Sequence, residues 1–365
     1  MSETKQRKSS HIQTCIENNV QAKGTTTGFE DIYLIHQALP DFSLEDVNIS
    51  MIFFDKPLSA PIMIEAMTGG TEEAAFINAQ LAKTAESINI AMGVGSQRAA
   101  IENSDLTYTY EVARENAPNA FLLANLGVSQ FVKDYSIIEV KKAINMIKAD
   151  ALAIHLNPLQ EAVQPNGDTL FSGAYNKISD LIPKVDVPVI AKETGAGISA
   201  ETAKKLEKAG FKGIDVGGAG GTSFAGVEAL RAKDSLYYYH AELGNVFWDW
   251  GIPTAPSIFE VKHSTNLTLI ASGGIRSGID IAKAIVLGAQ VAGVALPLLK
   301  PAMKSSKFVN ECVRDLIGQL KTAMFLTGAR DLSELKNKPM VITGKTREWL
   351  LSRGFNLNKY GRRSN

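Results

Sequence analysis

Residues 268–298, TLIASGGIRSGIDIAKAIVLGAQVAGVALPL, read as one complete strand–helix–strand unit. Thr268–Gly274 is a short apolar run ending in Ser-Gly-Gly, the pattern of a strand buried on both faces. Ser277 suits a helix N-cap and Gly288 a helix end, so 277–287 is predicted to be the helix between them. Val291–Leu298 is the next buried strand. Strand, helix and strand in that order make a right-handed crossover between parallel neighbours.

The same unit recurs along the chain. Apolar runs rich in Val, Ile and Ala stand at Pro61–Gly69, Ile88–Ser96, Phe121–Gly127, Ala151–Asn157, Val187–Thr194 and Gly213–Gly218, making eight with the two above. The intervals carry helical spacing: Ala75, Ile77, Leu81, Ala82 and Ala85 within 72–87, Val140, Ile144 and Ile147 within 137–148, and a Ser199-capped helix stopping at Gly210. Eight alternating units close most simply into an α/β fold of the (β/α)8 TIM-barrel type. The alternative is an open doubly wound sheet, which wants a glycine-rich turn after its first strand and an acidic residue about 20 positions on. Met67–Thr71 is glycine-rich but lacks that spacing.

One domain is expected, with residues 1–60 as a helical N-terminal arm and irregular cap, 61–299 holding the barrel strands, and 300–365 a closing helix and tail. Lys300–Leu326 reads as that closing helix, and Asp331–Leu351 as a C-terminal extension packing back on the barrel. Val227–Pro256 reads as a long insert between the sixth and seventh strands, rich in aromatics (Tyr237, Tyr238, Tyr239, Phe247, Trp248, Trp250) and suited to packing or subunit contacts.

Composition narrows the function. Hydrophobic residues make up 45% of the 365, and Lys+Arg and Asp+Glu balance at 38 each, so nothing global points to nucleic acid or an anionic membrane. Two distant cysteines, Cys15 and Cys312, make neither a disulfide framework nor a metal site. With no apolar leader at Met1–His11 and no run of membrane-spanning length, the expectation is a soluble cytoplasmic protein.

Barrel chemistry sits at the C-terminal ends of the strands. There Ser272–Gly278 (SGGIRSG) and Gly217–Thr222 (GGAGGT) are glycine-rich loops, followed by Val294-Ala295-Leu296 at the last strand end. They suit a phosphate, with the helix N-terminus at Ser277–Asp280 aiming N–H groups at it and Arg276 adding charge; the other reading is a set of tight turns. Lys192 in a buried strand needs a role at an anionic ring or a carboxylate partner, Glu193 or another. His155-Leu156-Asn157-Pro158-Leu159-Gln160-Glu161 puts an imidazole, two amides and a carboxylate at one strand end, a fair setting for a hard cation such as Mg²⁺ on a diphosphate.

Seven segments together resemble the type 2 isopentenyl-diphosphate isomerases. They are Arg7-Lys8-Ser9-Ser10-His11, Met67-Thr68-Gly69-Gly70, Gly95-Ser96-Gln97-Arg98, His155 through Glu161, Gly217–Ser223, Asp249–Thr254 and Ser272–Arg276, in order from Arg7 to about Asp331. Ala191-Lys192-Glu193-Thr194 differs slightly from the family's usual Val-Lys-Glu-Val and keeps the lysine. The resemblance implies an isomerase of isoprenoid biosynthesis that interconverts isopentenyl and dimethylallyl diphosphate, uses FMN reduced by NADPH or another donor, needs Mg²⁺, and forms homotetramers or homo-octamers. It implies that Arg7, Lys8, His11, Arg98, His155, Asn157 and Gln160 hold the substrate, with Gln160 and His155 in catalysis and Glu161 on the metal. It implies FMN contacts from Ala66, Met67, Thr68, Ser96, Asn125, Lys192, Thr222, Gly274, Arg276, Ala295 and Leu296.

Rival enzymes are disfavoured. A 2-hydroxy-acid oxidase wants a His beside an Arg in the region after the sixth strand, and Gly217–Ala225 has neither. An inosine-monophosphate dehydrogenase needs a cysteine nucleophile at a strand end, and neither cysteine is near one. A non-catalytic flavin-binding barrel would have no need of Glu161 beside a phosphate site.

Overall fold

The computed structural model describes residues 3–362, with side chains from Ser10 onward. Eight parallel strands close into one barrel in sequence order: β1 (Ile62–Ile64), β2 (Ala91–Gly93), β3 (Leu122–Gly127), β4 (Ala151–Leu156), β5 (Val189–Glu193), β6 (Gly213–Asp215), β7 (Thr268–Ala271) and β8 (Val291–Val294). Each falls inside a predicted run. The residues beyond each strand form the loops of the barrel mouth.

Inside the barrel, side chains change character along the strands. Near the N-terminal ends Met63, Leu123, Ala153, Ile190, Ile270 and Val291 are buried in one apolar cluster. Two residues further on, the same strands or the loops just past them carry Glu65, Asn125, His155, Lys192, Ser272 and Gly293. Strand alternation points these inward as well. The apolar end is closed by a hairpin (Met51–Phe53 with Lys56–Leu58), whose Phe53 meets Phe121 with ring centroids 5.0 Å apart. An apolar floor under a polar mouth confines chemistry to one end.

The helices relevant to the mouth are α1 (Glu3–Glu17), α2 (Glu72–Ile88), α3 (Pro158–Val163), α4 (Phe224–Asp234), α5 (Tyr238–Val246), α6 (Gly278–Leu287), α7 (Leu296–Ala302) and α8 (Ser306–Leu326). Two expectations need correction. The closing helix predicted over Lys300–Leu326 is broken: α7 ends at Ala302 and α8 begins at Ser306. Pro301 has no N–H to donate, Ser305 is extended, and the Gln80 side chain takes the Ser306 N–H at 3.0 Å. The Val227–Pro256 insert is no irregular loop. It holds most of α4, all of α5 and the start of the helix Thr254–Lys262. Its tyrosines Tyr238 and Tyr239 are exposed, whereas Trp248 is buried and donates Nε1–H to the Gln21 carbonyl at 2.9 Å.

The C-terminal extension returns to the N-terminal arm. Met340–Ile342 pairs antiparallel with Ile32–Leu34, and Arg353 and Trp349 bond the buried carboxylate of Glu260 at 3.0 and 2.9 Å. Among the described residues no helix is long and apolar enough to cross a membrane.

Candidate active site

The polar mouth encloses a cavity of about 270 Å³. His11, Ala66, Met67, Thr68, Ser96, Arg98, Asn125, His155, Asn157, Gln160 and Glu161 line it on one side of the chain order, and Lys192, Thr222, Gly274, Arg276, Ala295 and Leu296 complete it. Residues picked from eight different strand ends thus face one space. Arg7 and Lys8 lie on α1, and their side chains fall outside the described residues.

Lys192 sits at the base of this space. Its Nζ is 2.6 Å from Glu65 Oε2 and also bonds Asp215, whose other oxygen accepts from Ser272 Oγ. The carboxylate partner foreseen for this lysine is therefore Glu65 and Asp215, not Glu193. Burial opposes its charge, yet Asp215 and Glu65 hold the ammonium more strongly protonated than a free lysine. Burial, then the Asp215 charge, pushes the Glu65 carboxyl up to about 7. Glu193 caps the next loop, accepting from Gly195 N at 2.6 Å; burial raises it to about 7 despite those bonds.

His155 is fixed by Asn125. Asn125 Nδ2 donates to the Val94 carbonyl at 3.1 Å, so its Oδ1 must face His155, whose Nδ1–H donates to it at 2.8 Å. That fixes a proton on Nδ1 and turns Nε2 toward Gly127. Gln160 is held at both ends of its amide. Oε1 accepts from Asn157 Nδ2 at 3.1 Å, and Nε2 donates to Glu228 Oε1 at 2.9 Å.

Glu228, on α4, was not foreseen from the sequence. Its fully buried carboxylate also meets His11 Nε2 at 2.8 Å, and its other oxygen bonds Arg231. Burial would raise its pKa, but the His11 ring, then Arg231 and the Gln160 bond, bring it down to about 2. The available signal was a lone acid in the small, apolar stretch Phe224-Ala225-Gly226-Val227-Glu228-Ala229-Leu230, obscured by treating that region as an insert. Through His11, this carboxylate ties α1 over the mouth. Cys15, also on α1, lines the cavity, but burial and Glu228 push its thiol up to about 11, too high for a nucleophile.

Glu161, at the N-terminal turn of α3, accepts from Asn157 Nδ2 at 3.1 Å, Asp168 N at 2.6 Å and Gln164 Nε2. Those bonds turn the opposite ends of both amides, Asn157 Oδ1 and Gln164 Oε1, into buried oxygens with no hydrogen-bond partner. A carboxylate with two idle amide oxygens is a hard donor set that fits Mg²⁺. Among the described residues no group of three or more His, Cys, Asp or Glu could hold a metal alone. A Mg²⁺ here would therefore take its remaining oxygens from a phosphorylated ligand and water.

The glycine loops fit a phosphate, with one correction. Gly273 and Gly274 have φ of 98° and 74°, and a Cβ on Gly221 would stand 2.3 Å from Gly274 N. Only glycine lets these loops close on each other and leave the backbone bare to the cavity. The α6 N-terminus, however, has most of its donors already occupied. Asp280 accepts from Arg276 N and Ser277 N at 3.0 and 2.9 Å, Ser277 Oγ accepts from Asp280 N, and Gln319 accepts from Gly278 N at 2.8 Å. A capping box consumed the donors that the sequence seemed to offer. Gly274, Arg276 and the Ala295–Leu296 entry to α7 remain at the cavity wall. Arg276 donates to the Ile275 carbonyl at 2.9 Å and reaches Gln21 at 3.2 Å. Arg98 pairs with Glu102 at 2.6 Å, at the rim.

The Asp249–Thr254 segment is structural. Asp249 accepts from Lys23 N at 2.7 Å and Gly24 N at 3.0 Å, and Thr254 Oγ1 donates to the Gly273 carbonyl at 2.7 Å. It pins the arm to the phosphate loops.

Comparison with known proteins gives the family and the fold. Residues 159–342 match the family model of FMN-dependent dehydrogenases. Mandelate oxidase structures share the fold, one complexed with (S)-mandelic acid at a TM-score of 0.64 and 17% identity, covering 92% of this chain and 94% of that one. Much nearer in sequence are isopentenyl-diphosphate delta-isomerases. That of Methanothermobacter thermautotrophicus is 50% identical over 98% of this chain and 99% of its own. That of Pyrococcus furiosus is 50% identical over 95% and 89%, and that of Methanosarcina barkeri 48% over 99% and 98%. By these matches along nearly its whole length, the chain belongs to the isopentenyl-diphosphate delta-isomerase family of enzymes.

Proposed function

We propose that this protein interconverts isopentenyl diphosphate and dimethylallyl diphosphate, with reduced FMN and Mg²⁺ in the barrel mouth and NADPH as reductant. The observation that carries the reading is the single cavity shared by the glycine loops, Lys192, and the His155–Asn157–Gln160–Glu161 edge. Gly274, Arg276, Ala295 and Leu296 would hold the FMN phosphate, and Ala66, Met67, Thr68, Ser96, Asn125, Lys192 and Thr222 its ring and ribityl chain. Bound reduced FMN supplies an electron-rich ring that stabilises a cation and a nitrogen able to exchange a proton.

The chain's own residues do the rest. Adding a proton to the terminal alkene carbon leaves a tertiary cationic centre, and loss of a proton from C2 gives the product; no electrons are gained or lost. His155, His11 and Arg98, with Arg7 and Lys8 of α1, would hold the diphosphate, and Glu161 with Asn157 its Mg²⁺. Both ends of the Gln160 amide are already engaged, which favours orienting over proton transfer. Glu228, held near 2, is too weak a base to drain a proton from Gln160 at neutral pH. The arm over the mouth keeps water from the cation. The exposed Tyr238, Tyr239 and Trp250 suit contacts within a homotetramer or homo-octamer, and supply of NADPH suits the cytoplasm.

The test is anaerobic proton NMR in D₂O with FMN, Mg²⁺, NADPH and isopentenyl diphosphate. Deuterated dimethylallyl diphosphate is expected, and none with oxidised flavin. No product with fully reduced flavin would overturn the reading. The mandelate-oxidase likeness raises a second reading, oxidation of a 2-hydroxy acid. Gly217–Ala225 offers it no His or Arg, so lactate and glycolate are expected to leave the flavin oxidised.

A further inference from the structure

We propose that Glu65 is a proton acceptor coupled to the charge of the flavin, taking up one proton when an anionic reduced ring lies against Lys192 and releasing it on reoxidation. This rests on the reading that the mouth holds FMN with Lys192 beside the ring.

The argument begins with a count of charges. Glu65, Lys192 and Asp215 form one cluster whose side chains are at most 9% exposed. Two carboxylates share one ammonium, so the fully ionised cluster carries an excess negative charge away from water. Such a cluster relieves itself by binding a proton. The two acids are not equivalent. Asp215 has Lys192 on one oxygen and the Ser272 hydroxyl on the other. Glu65 has Lys192 near Oε2 and the Ala66 backbone beside it, while its buried Oε1 has no side-chain partner. A proton on Glu65 Oε1 breaks no side-chain bond; one on Asp215 would break the bond from Lys192 or from Ser272.

Among the described residues, the groups packed against Glu65 leave it the most available acceptor of the cluster. Across β8 it faces Gly293, where an added Cβ would stand 1.8 Å from Oε1. From β5 it meets Lys192, from β6 Asp215, and beyond β7 the uncharged Ser272. Glu193 also lines the cavity, but its carboxylate already accepts from Gly195 N and Ala196 N, and His155 is bonded to Asn125. Burial and Asp215 already place the Glu65 carboxyl at about 7, so a further nearby negative charge can only raise it.

Two-electron reduction to the anionic ring consumes two electrons and one proton. Lys192 must then serve three anions. The carboxylate with the fewest bonds, Glu65, takes a second proton from solvent, and the net charge of the mouth is unchanged. With dithionite as the electron donor, the protein and its flavin together take up two protons per two electrons.

The experiment is anaerobic dithionite titration of the FMN-loaded protein, at a pH about one unit above the Glu65 ionisation in the oxidised state. Proton uptake is read with an indicator dye after adding back the protons that dithionite releases as it is oxidised to sulfite, calibrated on free FMN, and ring charge from the reduced-flavin absorption. Two protons per two electrons with an anionic-ring spectrum are expected for the wild type, and one for Glu65→Gln. One proton in the wild type overturns the proposal, as do two in both proteins. If Glu65→Gln does not fold, the wild-type count with its spectrum decides alone. Failure of the protein to bind FMN at all would instead sink the reading on which the proposal stands.

Discussion

Glu161 and Gly293 show how much can hang on single side chains here. Glu161 is the carboxylate bonded by the two amides whose other ends, Asn157 Oδ1 and Gln164 Oε1, are idle. Glu161→Gln is expected to weaken Mg²⁺ activation by about 10-fold or more while FMN stays bound; metal titration of activity, with flavin content read by absorbance, checks both halves. Gly293 matters for what it lacks. The 1.8 Å approach to Glu65 leaves no room for a methyl group, so Gly293→Ala is expected to cost about 1–3 kcal/mol in urea unfolding by overpacking. Residue identities at the mouth were legible in the sequence, because His155, Asn157, Gln160 and Glu161 are neighbours on one strand end. Their partners were not. Glu228 and Glu65 reach the site from distant elements, and no local spacing announces which buried acid meets which base.

At the scale of elements, apolar runs and N-caps located every barrel strand, since a strand buried on both faces has few ways to be written. Two errors share a physical cause. Helix propensity in 300–326 concealed the break after Pro301, and aromatic richness in 227–256 concealed two helices. In both, tertiary packing decided what local composition left open. The capping box of α6 makes a sharper point: the Ser277–Asp280 donors serve the helix itself. Ser277→Ala is therefore expected to lower stability by about 1 kcal/mol and leave FMN affinity unchanged. Thermal unfolding and a flavin-binding titration would separate the two effects. An equal loss of FMN affinity would return the phosphate to that helix.

For the whole molecule, buried acids set a pH profile. Glu65 and Glu193 have folded pKa values near 7, above the usual 4.5, so the folded state binds more protons than the unfolded state between those values. Their contribution to stability falls as pH rises through that window. Glu228, near 2, stabilises above 4.5, and that contribution is lost as pH falls toward 2. The urea midpoint of flavin-free protein is expected to fall on both sides of a maximum near pH about 5; a midpoint rising steadily from pH 5 to 7 would contradict the assignment. The tail completes the barrel's outer wall. A chain ending before Asp331 leaves Glu260 without Trp349 and Arg353 and strand Ile32–Leu34 without its partner. Uncovering such a buried charge costs about 3–5 kcal/mol, and limited proteolysis should cut that arm first. The pairing of Ile32 with Ile342 also has a meaning in time. A ribosome adding about 5–20 residues per second takes roughly 15–60 s to travel between those two residues. Throughout that interval the strand Ile32–Leu34 is a loose thread, and its pairing with Met340–Ile342 can form only after every barrel strand between them has been made.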